Sequence, residues 1–158
     1  MLRLTLAFAL CILPTLGFAE DDDHLSEVDG LRILHAWTRA HQIGTADVYL
    51  EVENQSNRDA KLTGGDVHEG DGEVVILAQP TQANSSPVPL PDFIFPMGSD
   101  FIFDEDGVFL RVSGVEDELE EGDELEIHLA FDGFGELVVH VEVESEDAKN
   151  HSHAGHNH

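Results

Sequence analysis

The stretch DGVFLRVSGVEDELEEGDELEIHLAF, Asp106–Phe131, decides the fold of this chain. Apolar residues alternate with polar ones on both sides of the acidic segment Glu116–Asp123; they are Val108, Leu110 and Val112 before it, and Leu125, Ile127, Leu129 and Phe131 after it. Alternation with a period of two is typical of a β-strand that buries one face. The stretch therefore predicts a strand, an acidic turn and a second strand.

The second strand predicts a hairpin with the closing segment GELVVHVEV, Gly135–Val143. A three-residue loop at Gly133–Gly135 would set apolar residues against each other, as Phe131 with Leu137, Leu129 with Val139, Ile127 with Val141 and Leu125 with Val143. This register places His128 opposite His140 on the outer face, among glutamates. Opposed Cβ atoms are about 4.5–5.5 Å apart, which suits two imidazoles on one divalent ion. The pair is either a metal site or part of a solvated acidic face.

Further short strands are predicted upstream, at Leu31–Trp37, Thr45–Asn54, Arg58–Leu62, Glu73–Ala78 and Phe101–Phe103. Trp37 is interpreted as a core residue, since a single Trp in a short β domain usually anchors packing. The Pro- and Ser-rich segment Gln79–Pro91 predicts an extended loop. Many short strands separated by turn signals indicate one all-β domain over residues 31–144.

The first 19 residues have the features of a secretory signal peptide: a charge at Arg3, an apolar run Leu4–Leu13 and a small-residue end at Gly17–Ala19. The apolar run is shorter than the roughly 20 residues that span a bilayer. We therefore expect export to the periplasm, with no membrane span after cleavage. The single cysteine, Cys11, lies in this segment, so the mature chain offers no disulfide and no thiolate ligand.

The chain is strongly acidic, with 33 Asp and Glu against 7 Lys and Arg and a formal net charge of -26. Nucleic-acid binding requires basic surfaces, so this class of partner is excluded. The acidity would instead concentrate cations near the surface. Residues 20–30, directly after the signal peptide, are predicted to be a poorly ordered acidic lead-in.

The tail, residues 145–158, ends in NHSHAGHNH. It carries His151, His153, His156 and His158, separated only by small or polar residues. Such a segment is predicted to be flexible, yet it can wrap several neutral imidazoles around Cu(II), Zn(II) or Ni(II). An affinity tag is the alternative, but the interrupted spacing argues against it. Metal binding here should weaken below about pH 6.5, where imidazoles are protonated.

Several motifs occur in the order found in one known family: AW-x-RA at Ala36–Ala40, Leu-x-Gly after the upstream hairpin, Leu-x-x-Gly-Asp at Leu119–Asp123, and Gly-Glu at the start of the closing strand. With these motifs, residues 31–143 resemble the periplasmic copper chaperone family PCuAC. The resemblance implies a cupredoxin-like Greek-key β-sandwich of about seven to nine strands. It also implies a carrier that takes Cu(I) toward oxidase copper centres on a His/Met site.

The expected ligands of that family site are replaced in this chain. In the family, a Gly-Gly-x-His-x-Met segment occupies the strand that corresponds to Val108–Ser113, which aligns Phe109 with the His and Arg111 with the Met. The other family His falls within Ile76–Gln79, where Leu77 stands and neither His nor Met occurs. The resemblance therefore implies a degenerate copper site.

Two residues remain as candidates for retained family ligands. A gapped alignment matches His68 to the first family His. Met97 is the Met nearest to the region where the family has a copper-binding Met, although it also has the features of a turn residue packed on phenylalanines. Without a thioether ligand, nitrogen donors would favour Cu(II) or zinc, because thioether is what selects Cu(I).

Two functions from different classes follow. The first is a periplasmic copper metallochaperone or copper-buffering protein. It would bind Cu(II) or Cu(I), with zinc as an alternative cargo, mainly through the tail histidines, and deliver copper to an envelope protein of oxidase assembly. The second is a metal-free interaction module of the envelope on the same scaffold. An enzyme is not predicted, because no nucleophile elbow, HExxH motif or distinct carboxylate pair is present.

Overall fold

The computed structural model describes residues 25–68, 71–82 and 85–151. The elements in these ranges are all strands: β1 (Leu25–Val28), β2 (Leu31–Arg39), β3 (Gly44–Asn54), β4 (Ala60–Val67), β5 (Glu73–Ala78), β6 (Val88–Leu90), β7 (Phe93–Phe95), β8 (Asp100–Phe103), β9 (Val108–Val115), β10 (Glu124–Asp132) and β11 (Gly135–Glu144). Within the described ranges, no helix is long and apolar enough to cross a membrane.

The strands form one sheet that closes on itself. Its order is β1-β2-β11-β10-β4-β5-β9-β3-β8, with β6 on β5 and β7 on β4, and β2 also pairs with β3. The pairing of β2 with β3 closes the sheet into a barrel-like sandwich, and β2 with β11 is its parallel pair. The predicted all-β sandwich is confirmed. The described residues contain eleven strands rather than seven to nine, because β1, β6, β7 and β8 have only three or four residues each and give little periodic signal.

The inward face of the alternating strands fills the core. Leu110, Ile127 and Leu129 are completely buried, as the period-two pattern predicts. Trp37 is buried as well, but it belongs to a second, smaller cluster in which its ring lies 4.8 Å from that of Tyr49. The barrel thus has a main core and a separate apolar cluster on its wall.

The predicted register of the last hairpin is wrong by two residues. His128 pairs with Val138 instead of His140, and the turn closes one residue earlier than expected. Phe134 in this turn is buried, and the guanidinium carbon of Arg58 lies 4.1 Å from its ring centroid. A shift by two keeps every side chain on its original face, so the apolar alternation could not distinguish the two registers. The predicted His128–His140 pair therefore does not form.

The acidic lead-in and the tail, both predicted to be flexible, each contain residues that pack on the barrel. Leu25–Val28, inside the acidic lead-in, is strand β1 and pairs with β2, because Leu25 and Val28 are apolar and meet Leu34 and Leu31. At the other end, Ala148 packs against the second apolar cluster, and His151 is only 1% exposed. The predicted signal peptide, residues 1–19, and the tail histidines His153, His156 and His158 lie outside the described residues.

Candidate metal centre

The position where the resemblance places the copper site is filled by apolar side chains. Leu77 of β5 and Phe109 of β9 are direct cross-strand partners. Together with Trp37 and Tyr49 they form the second apolar cluster, and all four are buried. This apolar cluster contains neither His nor Met, so its residues do not fit copper.

Arg111, at the family's Met position, is engaged in an ion pair. Its Nε and a terminal guanidinium nitrogen donate to the two carboxylate oxygens of Asp47, at 2.6 and 2.8 Å. This hydrogen bond raises the pKa of Arg111, so the guanidinium stays charged. A guanidinium has no lone pair to offer a metal ion, which is a second reason why this position does not fit one.

The start of the tail lies over the apolar cluster. Ala148 packs against it, and Arg39 Nε donates a 2.8 Å hydrogen bond to the Ala148 carbonyl oxygen. The same guanidinium bonds to Glu105 at 2.9 Å and lies 5.6 Å from the Trp37 ring centroid and 5.3 Å from that of Tyr49. Arg39 therefore fixes the path of the chain between β11 and His151.

His151 is held by two glutamates of β11. Its Nε2 lies 2.7 Å from a carboxylate oxygen of Glu142 and 4.0 Å from one of Glu144. Burial lowers the pKa of His151, although the bond to Glu142 opposes this shift. A lowered pKa favours the neutral imidazole, which is the form that binds metal ions. Ligand atoms from these three residues all lie within 4.8 Å of one another, close enough to hold one ion.

His35 lies beside His151 at an irregular point of β2. The register of β2 with β3 shifts between Leu34 and Trp37, and His35 has φ 51°, in the left-handed region that non-glycine residues rarely adopt. Its ring centroid is 5.4 Å from that of His151. Its Nδ1 is buried and has no hydrogen-bond partner among the described residues, a costly state that a ligand would relieve. We call His35, Glu142, Glu144 and His151 the tail-base cluster.

The tail-base cluster contains three residues that the sequence analysis did not assign to metal binding. His35 continues the inward alternation of Leu31 and Ile33, which was a usable signal for an internal imidazole. Glu142 and Glu144 were assigned to the hairpin's acidic outer face. Their meeting with His151 depends on the turn after β11, which no periodic pattern predicts.

The other predicted ligands, His68, Met97, His128 and His140, do not meet at one place in the structure. His140 Nδ1 lies 2.7 Å from Glu124. His68, at the end of β4, approaches His128 instead, with 3.3 Å between His68 Nδ1 and His128 Nε2. Met97 lies in the turn between β7 and β8 and is 59% exposed. The structure thus brings His68 and His128 together and separates His140 from His128.

Comparison with solved structures identifies the fold. The apo PCuAC domain of PmoF2 matches at a TM-score of 0.66 with 22% sequence identity, covering 80% of this chain and 99% of that domain. The copper-bound PCuAC domain of PmoF2 matches at 0.63 with 22% identity, covering 77% of this chain and 98% of that one. The apo PCuAC domain of PmoF1 matches at 0.63 with 24% identity, covering 77% of this chain and 99% of that one. No protein-family model and no curated protein sequence matches.

These likenesses define the class of structure: the chain is an all-β domain with the fold of PCuAC domains. The predicted resemblance is therefore confirmed at the level of the fold. It covers 98–99% of each compared domain.

Proposed function

We propose that this chain is a periplasmic copper-binding protein, a non-enzymatic metallochaperone or copper buffer that supplies copper for respiratory oxidase assembly. Its cargo is bound mainly through the tail histidines, beginning with His151. The solved structures with this fold include a copper-bound domain, which supports copper as the cargo. A partner that accepts copper in the envelope belongs to the same proposal.

The observation that carries the proposal is the position of His151. It is the first tail histidine, and it is buried between Glu142 and Glu144 beside His35, whose Nδ1 has no hydrogen-bond partner in the part of the chain that the structure describes. A side chain of a polar tail is rarely 1% exposed unless the fold gives it partners. The burial of His151 attaches the His-rich segment to strand β11. The histidines that follow His151 in the sequence are therefore tethered close to two carboxylates.

The donor set determines which ions the tail-base cluster prefers. Imidazole nitrogens and carboxylate oxygens suit Cu(II) and Zn(II), whereas Cu(I) prefers thioether and thiolate sulfur. Because Leu77, Phe109 and Arg111 replace the family ligands, the proposal is that this chain carries Cu(II) in preference to Cu(I). The acidic surface adds a general attraction for cations.

The test is a set of metal titrations on the purified chain. Cu(II) and Zn(II) are added in air, and Cu(I) is added anaerobically, to the wild type and to a variant with His151, His153, His156 and His158 all changed to Asn. The proposal predicts that the four substitutions weaken Cu(II) binding at least about tenfold. A His41→Asn variant is the matched control. His41 is exposed and bonded to Glu118, and its φ of 62° is one that Asn tolerates.

A metal-free interaction module is the second candidate function, and one observation favours it. The expected copper position is closed by a packed apolar cluster instead of by other ligands. A domain that had lost its cargo would retain the sandwich in this way. If the wild type binds neither Cu(II), Zn(II) nor Cu(I) at pH 7.5, the proposal of metal binding is wrong, and the metal-free interaction module becomes the proposed function.

A further inference from the structure

A second cluster of donors lies on the outer face of β4 and β10, and it shares no residue with the tail-base cluster. His68 Nδ1 and Glu126 Oε1 are 2.9 Å apart, and His128 Nε2 lies 3.3 Å from the first and 3.4 Å from the second. In a tetrahedral site with bonds of about 2.0–2.2 Å, neighbouring ligand atoms are about 3.3–3.6 Å apart. The three atoms thus approximate one face of such a tetrahedron.

Two further carboxylates fix the orientation of His128. Its Nδ1 lies 3.3 Å from Asp66 Oδ1 and 3.4 Å from Glu136 Oε1. A metal ion bound to Nε2, which faces His68 and Glu126, would leave the N–H on Nδ1, where Asp66 and Glu136 place two carboxylates. Metal-binding histidines usually have this carboxylate on the second ring nitrogen. The arrangement prepares His128 Nε2 to bind a metal ion.

The backbone holds the three donors in place. Glu126 and His128 are two residues apart on β10, so their side chains leave the same face of the sheet. The His68 backbone N–H donates a 3.2 Å hydrogen bond to the Glu126 carbonyl oxygen, which fixes the end of β4 against β10. Close approach of the two strands depends on Gly65, where a Cβ atom would lie 2.0 Å from the His128 carbonyl oxygen. No larger residue fits there.

Exposure and charge also suit a cation. The His128 side chain is 18% exposed and Glu126 is 30% exposed, whereas His68 is 53% exposed and leaves the cluster open to solvent. Asp66, Glu126 and Glu136 bring three carboxylates around one imidazole, an arrangement that is unfavourable without a compensating positive charge. Two nitrogens and one oxygen with an open fourth position are a set that zinc commonly takes.

We propose that His68, Glu126 and His128 form a zinc-binding site, with Asp66 and Glu136 orienting His128. The chemical class of the ligand is a divalent ion of borderline softness, and Zn(II) is the probe that tests it. This site is independent of the tail, so a chain without tail histidines retains it. The site at His68, Glu126 and His128 can therefore be distinguished from the tail site, because substitutions at one should remove its own ion and leave the other bound.

The experiment is a Zn(II) calorimetric titration of the full chain in which the four tail histidines are changed to Asn. One Zn(II) per chain is expected. Adding His68→Asn or Glu126→Gln should weaken its binding at least about tenfold, and Asp66→Asn, which acts through His128, should weaken it about 10- to 100-fold. Adding His41→Asn should leave it within about twofold. Circular dichroism checks that each variant is folded.

The substitutions His68→Asn and Glu126→Gln are also made in the wild-type chain, where the tail is intact. There the expected result is the loss of one of the bound zinc ions, with Cu(II) binding by the tail retained. The site proposal is overturned if the folded tail-substituted chain binds no zinc, or if His68→Asn and Glu126→Gln both bind zinc as tightly as their parent. Loss of Cu(II) binding on tail substitution is a separate result that tests only the proposed function.

Discussion

Changing Phe109 to Ala should destabilise the fold strongly and leave metal binding intact. Phe109 is 4% exposed and packs with Leu77, Trp37 and Tyr49. A buried phenylalanine removes on the order of 150–250 Å² from water, and losing most of it at about 25 cal/mol per Å² costs about 3–5 kcal/mol. Measured Phe→Ala costs in cores are of the same size. Because Phe109 belongs to the smaller apolar cluster and not to the main core, we expect the lower end of this range, about 3 kcal/mol.

The assay is urea unfolding at pH 7.5 without metal, followed by Cu(II) titration of the folded variant. Ile102→Ala is the control, since Ile102 is 67% exposed on β8 and should change stability by less than about 0.5 kcal/mol. The expected pair of results is a large loss of stability for Phe109→Ala with unchanged copper stoichiometry. A loss below about 1 kcal/mol would contradict the packing argument, because it lies well under the range for buried aromatic residues. Loss of copper binding by the folded variant would show that the apolar cluster takes part in the site.

Three other perturbations test separate parts of the structure. The triple change Leu77→His, Phe109→His and Arg111→Met should create a Cu(I) site, because it supplies the His and Met ligands that the family uses. Competition with a Cu(I)-selective chromophoric chelator measures the affinity of this site. No gain in Cu(I) affinity would contradict the alignment. Burial lowers the pKa of His151, so the unfolded state binds more protons than the folded state, and the metal-free chain should lose stability as pH falls below about 6.5. The slope of the unfolding free energy against pH should be smaller in His151→Asn than in the wild type. An unchanged slope would refute this prediction. Gly65→Ala should cost at least about 2 kcal/mol in urea unfolding, since its Cβ would overlap a backbone oxygen of β10, and a neutral result would contradict the close pairing.

The sheet was predictable because alternation alone determines which residues of a strand face inward. Ile127 and Leu129 were assigned to the core on this basis, and they are completely buried. The pairing partner was not predictable, because a register shift of two residues preserves every inward face. The turn at Phe134 decides between the two registers, and its burial against Arg58 involves contacts distant in sequence.

The candidate site was predictable in kind but not in position. The His-rich composition of the tail indicated imidazole ligands, and the alignment by resemblance placed the apolar residues Leu77 and Phe109 where buried ligands would be expected. The burial of His151 depends on the turn after β11 and on the bulge at His35. Neither feature follows from a periodic sequence pattern, so the position of His151 could not be predicted. His68 meets His128 only because β4 lies beside β10, and this non-sequential pairing cannot be read from local sequence.

The most direct test of peripheral nitrogen ligands is X-ray absorption spectroscopy of the full chain loaded with one equivalent of copper. The predicted spectrum has a nearest shell of nitrogen and oxygen atoms at about 2.0 Å and the outer scattering of imidazole rings. Substituting the four tail histidines should remove most of the imidazole scattering. A sulfur shell at about 2.3 Å would contradict the claim, because it would place a cysteine or methionine sulfur among the ligands.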